Sequence, residues 1–249
     1  MLTINRTFDL LEVFLRVKGE IGIMELADLS GLSVGAAHRI ATACTKRGYL
    51  KQTLKRGKYS LSPKLLQFSK AIKETLNVEN TAYPFMVELN ELSGETVNLV
   101  ILDDYEAVGI ESIDSKEDLR LSITIGRRMP LHSTAVGKVL LAFMTDKELL
   151  NFLNKKELSR RTAKTITDFN VLKNELITIR QEGVAIDNEE NSLGVICIGA
   201  PVKDSDGRVL AAVSISVPSV RLTTDRIIEQ KSLVKKCARK ISQAMGGTH

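Results

Sequence analysis

The chain has 249 residues, 43% hydrophobic and 26% charged, a composition typical of a soluble globular protein with one large domain or two modest ones. No apolar run approaches the roughly 20 residues that span a bilayer, and the N-terminus lacks the uninterrupted apolar stretch of a secretory signal. Three cysteines set far apart argue against a disulfide framework, so we expect a reducing cytoplasm. The three histidines have no paired ligand at close spacing, and we predict no metal and no cofactor.

Basic residues are concentrated in the first third of the chain. Residues 1–78 carry 13 Lys and Arg against six Asp and Glu, a net charge of +7, whereas the remainder carries 22 against 24, a net charge of −2. Such an asymmetry is typical of a surface that binds a polyanion. An isolated basic run is more often solvated surface, so the observation gains weight only if a binding motif lies in the same segment.

Three helices are predicted in this basic segment, over 4–17, 23–30 and 34–47. The apolar residues expected to bury the first helix are Ile4, Phe8, Leu11 and Leu15, widened by Leu10, Phe14 and Val17. Those expected to bury the third are Val34, Ala37, Ile40, Ala41 and Cys44. Between the second and third helices, Gly31 suits a sharp turn and Ser33 suits an N-cap. Two helices joined by a tight turn form a helix-turn-helix.

The third helix is expected to enter the major groove of DNA, where Arg39 can reach a guanine edge and Ser33 and Thr42 can donate to phosphates. His38 either contacts DNA or only packs at the edge of the buried face. Residues 48–61 predict two short strands joined by a basic turn, a wing that meets phosphates. The residues predicted to contact DNA are Ser33, Val34, Gly35, Ala36, His38, Arg39, Thr42, Lys46, Lys55, Arg56 and Lys58.

Beyond the wing, Pro63 opens a predicted connecting helix that runs to residue 76. We predict a winged helix-turn-helix over 1–62, a linker helix over 63–79 and a second domain over 80–249. The strands predicted in the second domain span 95–102, 107–113, 119–125, 194–202 and 209–217. The helices predicted there span 81–92, 147–154, 168–182 and 224–245, with an apolar helix that ends at Phe143. This order indicates an α+β domain on a mostly antiparallel sheet.

Several motifs together resemble the IclR family of regulators. They are the segment PLHSTAVGK at 130–138, GVAIDNEE at 183–190, GVICIGAPV at 194–202, the stretch 209–218 with Arg221, and, near the N-terminus, His38-Arg39 and RGYL at 47–50. The resemblance covers nearly the whole chain. It implies a GAF-like effector-binding domain, a dimer through the DNA-binding domains, often a tetramer, and hence a near-palindromic operator. The chain departs from the family at 34–36, where Val, Gly and Ala replace basic and hydroxyl residues.

A ligand site is expected where residues 133–137 open a helix, because free N–H groups at a helix start favour a carboxylate. Strand alternation places Ser214 and Ser216 on one face, a composition that suits a small organic acid. Asp187 either bonds a ligand hydroxyl or orients its neighbours. The effector-binding residues that the resemblance implies are Leu121, Met129, Ala135, Val136, Asp187, Val195, Cys197, Ser214 and Ser216.

Two other functions, an enzyme and an adaptor, fit the sequence less well than a regulator. An enzyme with Cys197 as nucleophile would need a general base, and His132 is the only internal histidine outside the DNA-binding segment. An adaptor that binds protein rather than DNA is disfavoured by the +7 charge of the first third. We therefore expect a non-enzymatic, sequence-specific DNA-binding transcription regulator, a repressor of a catabolic operon, controlled by a small organic acid.

Overall fold

The computed structural model describes residues 2–17, 19–53 and 57–247, and the chain divides into two compact units, Met1–Leu76 and Asn77–His249. The elements of the first unit are α1 (Leu2–Val13), α2 (Ile23–Leu29), α3 (Val34–Lys46), β1 (Leu50–Gln52), β2 (Tyr59–Leu61), a 3-10 turn (Pro63–Leu65) and α4 (Leu66–Leu76). Strands β1 and β2 pair antiparallel, and Ile21 forms an isolated antiparallel bridge with Tyr59 of β2. These elements form the predicted winged helix-turn-helix followed by a linker helix.

The prediction for helix α1 is right for part of the apolar stripe and wrong for the rest. Leu10 and Phe14 are buried as predicted, together with Val13, and Leu11 and Val17 pack against the same core, whereas Ile4, Phe8 and Leu15 are exposed. The helix is apolar on two faces, and residues 10, 13 and 14 lie on the face that packs into the core of this unit. The helix also ends at Val13 rather than residue 17. Among the described residues nothing covers the apolar face of α1 that carries Ile4 and Phe8.

Helix α3 follows its prediction except at its first residue. Ala37, Ile40, Ala41 and Cys44 are buried as the spacing predicts. Val34, at the first position of α3, was expected to share that buried face and is instead 48% exposed. His38, which was placed at the edge of the buried face, is exposed.

The second unit is built on one six-stranded antiparallel sheet with strand order β5-β4-β3-β8-β7-β6. Its strands are β3 (Thr96–Asp103), β4 (Glu106–Ile113), β5 (Arg128–Met129), β6 (Ala185–Asn188), β7 (Val195–Lys203) and β8 (Val209–Pro218). Its helices are α5 (Val78–Ser93), α6 (Ala135–Ala142), α7 (Asp146–Lys155), α8 (Phe169–Glu182) and α9 (Thr224–Ala244), with a 3-10 turn at Ser219–Arg221. The predicted α+β architecture on an antiparallel sheet is confirmed.

The sheet differs from the predicted one near its edges. Residues 119–125 were expected to form a strand but have no regular structure, because β4 pairs instead with the two-residue strand β5, through Ala107 and Met129. Leu121 and Ile123 in this loop are half-buried all the same. Strand β6 was not predicted and forms the opposite edge of the sheet. Among the described residues, no helix is long and apolar enough to cross a membrane.

Candidate DNA-binding surface and effector cavity

The exposed side of α3 carries most of the residues predicted to contact DNA. We call it the α3 face; its members are the exposed Ser33, Val34, Gly35, His38, Arg39 and Lys46 and the half-buried Ala36 and Thr42. Residues three and four apart lie on one side of a helix, so these members form one continuous surface. The Ser33 hydroxyl accepts a hydrogen bond from the Ala36 N–H at 3.4 Å, so it caps α3.

The base of the wing is held by local hydrogen bonds. The Thr53 N–H donates to the Lys58 carbonyl at 2.9 Å, and the Thr53 hydroxyl donates to Glu20 Oε1 at 2.6 Å. Lys58 is half-buried at the end of this hairpin. The predicted contacts Lys55 and Arg56 lie outside the described residues.

The end of α3 is joined to the start of the linker helix. Lys64 Nζ donates to the Arg47 carbonyl at 2.8 Å and lies 4.6 Å from the centre of the Tyr49 ring. The Tyr49 ring also packs 6.0 Å from the ring of Phe68 on α4. A lysine at the C-terminal carbonyls of a helix is favoured by the helix dipole. The orientation of the first turns of α4 is thus set by the helix-turn-helix.

A cavity lies between the start of α6, the sheet and the irregular segment 119–127. We call it the α6 cavity; its lining residues are Leu121, Ser122, Ile123, Arg127, Met129, Thr134, Ala135, Val136, Asp187, Asn191, Ser192, Val195, Cys197, Ser214 and Ser216. All nine residues predicted to bind the effector are among them. The cavity offers about 90 Å³ to the centres of water-sized molecules, several times what one water needs.

A glycine on β7 lets α6 begin at the cavity wall. A Cβ on Gly199 of β7 would lie 3.3 Å from Val136 N, so the bare glycine allows the strand to approach the helix start. The Thr134 hydroxyl caps the helix by accepting from the Gly137 N–H at 3.1 Å, and it donates to the Pro130 carbonyl at 2.7 Å. In the described part of the chain, the N–H groups of Ala135 and Val136 have no acceptor. Such groups at a helix start bind anions.

The sheet presents hydroxyl and thiol groups to the α6 cavity. Ser216 Oγ accepts from Asn98 Nδ2 at 3.1 Å and lies 3.4 Å from Cys197 Sγ. Ser214 Oγ makes no hydrogen bond within the described residues, although the residue is only 3% exposed. Burial raises the pKa of the Cys197 thiol to about 12, so this cysteine is a neutral group and a poor nucleophile.

Asp187 ends the polar wall of the α6 cavity. Its Oδ1 accepts from the Glu190 N–H at 2.7 Å and from the Asn191 N–H at 3.2 Å, which holds the turn after β6. Burial raises the pKa of Asp187 to about 7 against those two hydrogen bonds, which lower it. A raised pKa favours the protonated carboxyl of Asp187 near neutral pH, and a protonated carboxyl can donate a hydrogen bond.

An ion cluster lies next to Asp187, because the Glu190 N–H donates to Asp187 and the Glu190 side chain contacts Lys138. We call it the Lys138 cluster; its members are Lys138, Glu175 and Glu190. Lys138 on α6 is completely buried, its Nζ lies 2.5 Å from Glu190 Oε1, and it also contacts Glu175 Oε1. Burial raises the pKa of Glu190. The Thr165 hydroxyl donates to the Glu190 carbonyl at 2.7 Å. The cluster thus ties α6 to the turn that Asp187 organises.

Two family models match this chain and together cover most of it. "IclR helix-turn-helix domain" matches residues 3–54, and "Bacterial transcriptional regulator IclR C-terminal" matches residues 70–243. The chain belongs to the IclR family. The resemblance inferred from the motifs is thereby confirmed, together with the GAF-like fold of the second unit.

Individual IclR relatives match over nearly the full length. The chain is 31% identical to the acetate operon repressor of Salmonella typhimurium, covering 99% of this chain and 90% of that protein. It is 39% identical to the HTH-type transcriptional regulator KdgR of Escherichia coli, covering 91% and 86%. The crystal structure of Thermotoga maritima IclR matches with a TM-score of 0.85 and 32% identity, over 98% of each chain.

Membership of the IclR family decides between a regulator, an enzyme and an adaptor. The chain is a DNA-binding transcription regulator, and the prediction that it is not an enzyme is confirmed by the family and its relatives. Five residues that line the α6 cavity were not predicted: Ser122, Ile123, Arg127, Asn191 and Ser192; Thr134 belongs to the helix start where a ligand was expected but was not named as a contact. Asn191 could have been predicted from its position in the sequence, because it lies four residues after Asp187 and directly follows the family motif at 183–190.

Proposed function

We propose that the protein is a cytoplasmic repressor of a catabolic operon and that a small organic acid in the α6 cavity is its effector. In this proposal residues 1–62 read DNA, 63–79 connect, and 80–249 bind the effector. The observation that carries it is the convergence of the α6 start, two serine hydroxyls and Asp187 on one cavity. The Salmonella relative, named as a repressor of the acetate operon, supports the sign of regulation.

The polar groups around the α6 cavity suit one carboxylate. The N–H groups of Ala135 and Val136 lie at the positive end of the α6 dipole and offer two donors. Ser214 offers an uncommitted hydroxyl, and protonated Asp187 offers a further donor. Each hydrogen bond to a charged group contributes about 1.5–3 kcal/mol. Leu121, Met129 and Val195 supply an apolar wall for the carbon chain.

The first test is a thermal-shift screen of short oxo acids, sugar acids and aromatic acids. At a concentration 100 times the Kd, a ligand adds about 2.7 kcal/mol of stability, or roughly 5–10 °C in Tm for a unit of this size. We expect at least one acid to give such a rise, and Ser214→Ala to reduce it because a donor is lost. Ser232→Ala, at an exposed position on α9, is the matched control. The proposal fails if no acid raises the Tm, or if Ser214→Ala responds like Ser232→Ala.

For DNA, we propose that the α3 face enters the major groove and that Arg39 contacts a base edge. With Val34, Gly35 and Ala36 opening the helix, Arg39 is the first long basic side chain on this face. A bidentate arginine–guanine contact contributes about 1–3 kcal/mol of discrimination. Lys58 at the wing is expected to meet a phosphate, which adds salt dependence without base preference.

Replacing Arg39 by alanine is expected to weaken operator binding by about 5-fold to 150-fold and to relax base preference at one position, because about 1–3 kcal/mol is lost. Lys58→Ala is expected mainly to reduce the slope of affinity against salt concentration. Titrations of operator and scrambled DNA at two salt concentrations separate the two effects. Arg239→Ala, exposed on α9, changes the net charge equally and is the control. Equal behaviour of Arg39→Ala and Arg239→Ala would refute the assignment.

We also propose a homodimer, or a homotetramer built from dimers, that binds a near-palindromic operator. The uncovered apolar face of α1, with Ile4 and Phe8 more than half exposed, is the surface that we assign to the contact between two copies. A two-fold dimer of helix-turn-helix units reads two half-sites in opposite directions. Sedimentation equilibrium of the intact chain distinguishes monomer, dimer and tetramer.

A further inference from the structure

Asn191 is a polar residue of the α6 cavity with an unsatisfied side chain. It lines the cavity, and its Oδ1 is buried without a hydrogen-bond partner. Its backbone is fixed, because its N–H donates to Asp187 Oδ1 at 3.2 Å and its carbonyl accepts from Arg161 Nε at 3.4 Å. Asn191 therefore combines a fixed position in the cavity lining with a side-chain amide that has spare hydrogen-bonding capacity.

The orientation of the amide does not remove this capacity. Asn191 Nδ2 lies 3.5 Å from Ser192 Oγ, the one side-chain partner that the amide has among the described residues. If the amide is rotated by 180°, its oxygen meets Ser192 and the nitrogen takes the unpaired place. In both orientations one buried polar atom lacks a partner, which costs free energy until a ligand or a water supplies one.

We propose that the effector is a hydroxy acid whose carboxylate meets the α6 start and whose hydroxyl bonds the Asn191 amide. This inference rests on the proposed acid-binding function and deepens it. A hydroxyl both donates and accepts, so it satisfies either atom of the amide. The surroundings agree with this ligand class, since Ser122, Arg127 and Ser192 also border the cavity and none of its described lining residues is aromatic.

The experiment compares acids that share a carbon skeleton and differ by hydroxyl groups: lactate with propionate, malate with succinate, and gluconate with hexanoate. Calorimetric titration of the full chain gives the Kd of each. We expect the hydroxylated member of at least one pair to bind about tenfold or more tightly, because a site with a buried polar group rejects an analogue that leaves it unpaired. Asn191→Ala is expected to weaken that hydroxy acid about tenfold and to leave its partner unchanged.

The outcomes separate this inference from the proposed function. If no acid of any pair binds, the acid-binding function itself fails. If both members of every pair bind equally to the unaltered chain, the hydroxyl assignment is overturned while the acid site stands, whether or not Asn191→Ala folds. If Asn191→Ala weakens both members alike, Asn191 only shapes the turn and the assignment is overturned too. Asn174→Ala, exposed on α8, is the matched control and should change neither affinity.

Discussion

Replacing Lys138 by methionine is expected to destabilise the second unit by about 3–5 kcal/mol, because the change leaves the buried Glu190 and the 30% exposed Glu175 without their cation. The side chain of Lys138 is completely buried, and that of Glu190 is only 8% exposed. Methionine has a similar length and no charge, so little packing volume is lost. For a unit of this size the Tm should fall by about 6–20 °C. Thermal and urea unfolding of the full chain measure the effect.

The matched control for this prediction is Lys164→Met. Lys164 pairs with Glu189, next in sequence to Glu190, but its side chain is 49% exposed. An exposed pair of this kind contributes about 0–1 kcal/mol. Adding Glu175→Gln and Glu190→Gln to Lys138→Met removes the orphaned charges and should recover much of the loss. A Lys138→Met variant no less stable than Lys164→Met would show that the Lys138 cluster does not hold α6 to the turn after β6.

The lining residues of the α6 cavity were predictable where they lie on regular strands. Ser214 and Ser216 are two residues apart on β8, and Val195 and Cys197 are likewise two apart on β7, so alternation alone places each pair on one face. The family motifs supplied the rest of the predicted lining. Arg127 and Asn191 lie on irregular segments, where no period predicts which way a side chain points.

The long elements of the fold were predictable from the sequence. The short edge strands were missed, because which residues form them depends on how strands pair in the sheet. Residues 119–125 alternate as a strand does, yet β4 has one free edge and pairs there with β5 instead. Strands of two and four residues, as in β5 and β6, are too short to show a period. In α1 both faces are apolar, so composition could not say which face meets the core and which stays uncovered.

Replacing Asp187 by asparagine is expected to stabilise the second unit by up to about 4 kcal/mol at pH 8. The pKa of Asp187 is raised by burial to about 7 in the folded chain, above its ordinary 3.8. The stability that this group contributes is therefore complete below about pH 3.8 and is lost as the pH rises through about 7. The difference between the folded pKa of about 7 and the ordinary 3.8, at about 1.36 kcal/mol per pH unit, gives the expected stabilisation of about 4 kcal/mol. Asparagine does not ionise, and its Oδ1 can still accept from the N–H groups of Glu190 and Asn191.

The decisive measurement is the difference in unfolding free energy between Asp187→Asn and the unaltered chain at several pH values. We expect this free-energy difference to be near zero at pH 4 and to grow up to about pH 7. Taking the difference between the two proteins cancels the contributions of titrating groups that are not coupled to Asp187. Asp206→Asn, in an exposed turn, should show no such growth. A pH-independent difference would mean that Asp187 is ionised throughout. It could then not donate to a bound carboxylate, and the α6 start and Ser214 would have to hold the acid against its repulsion.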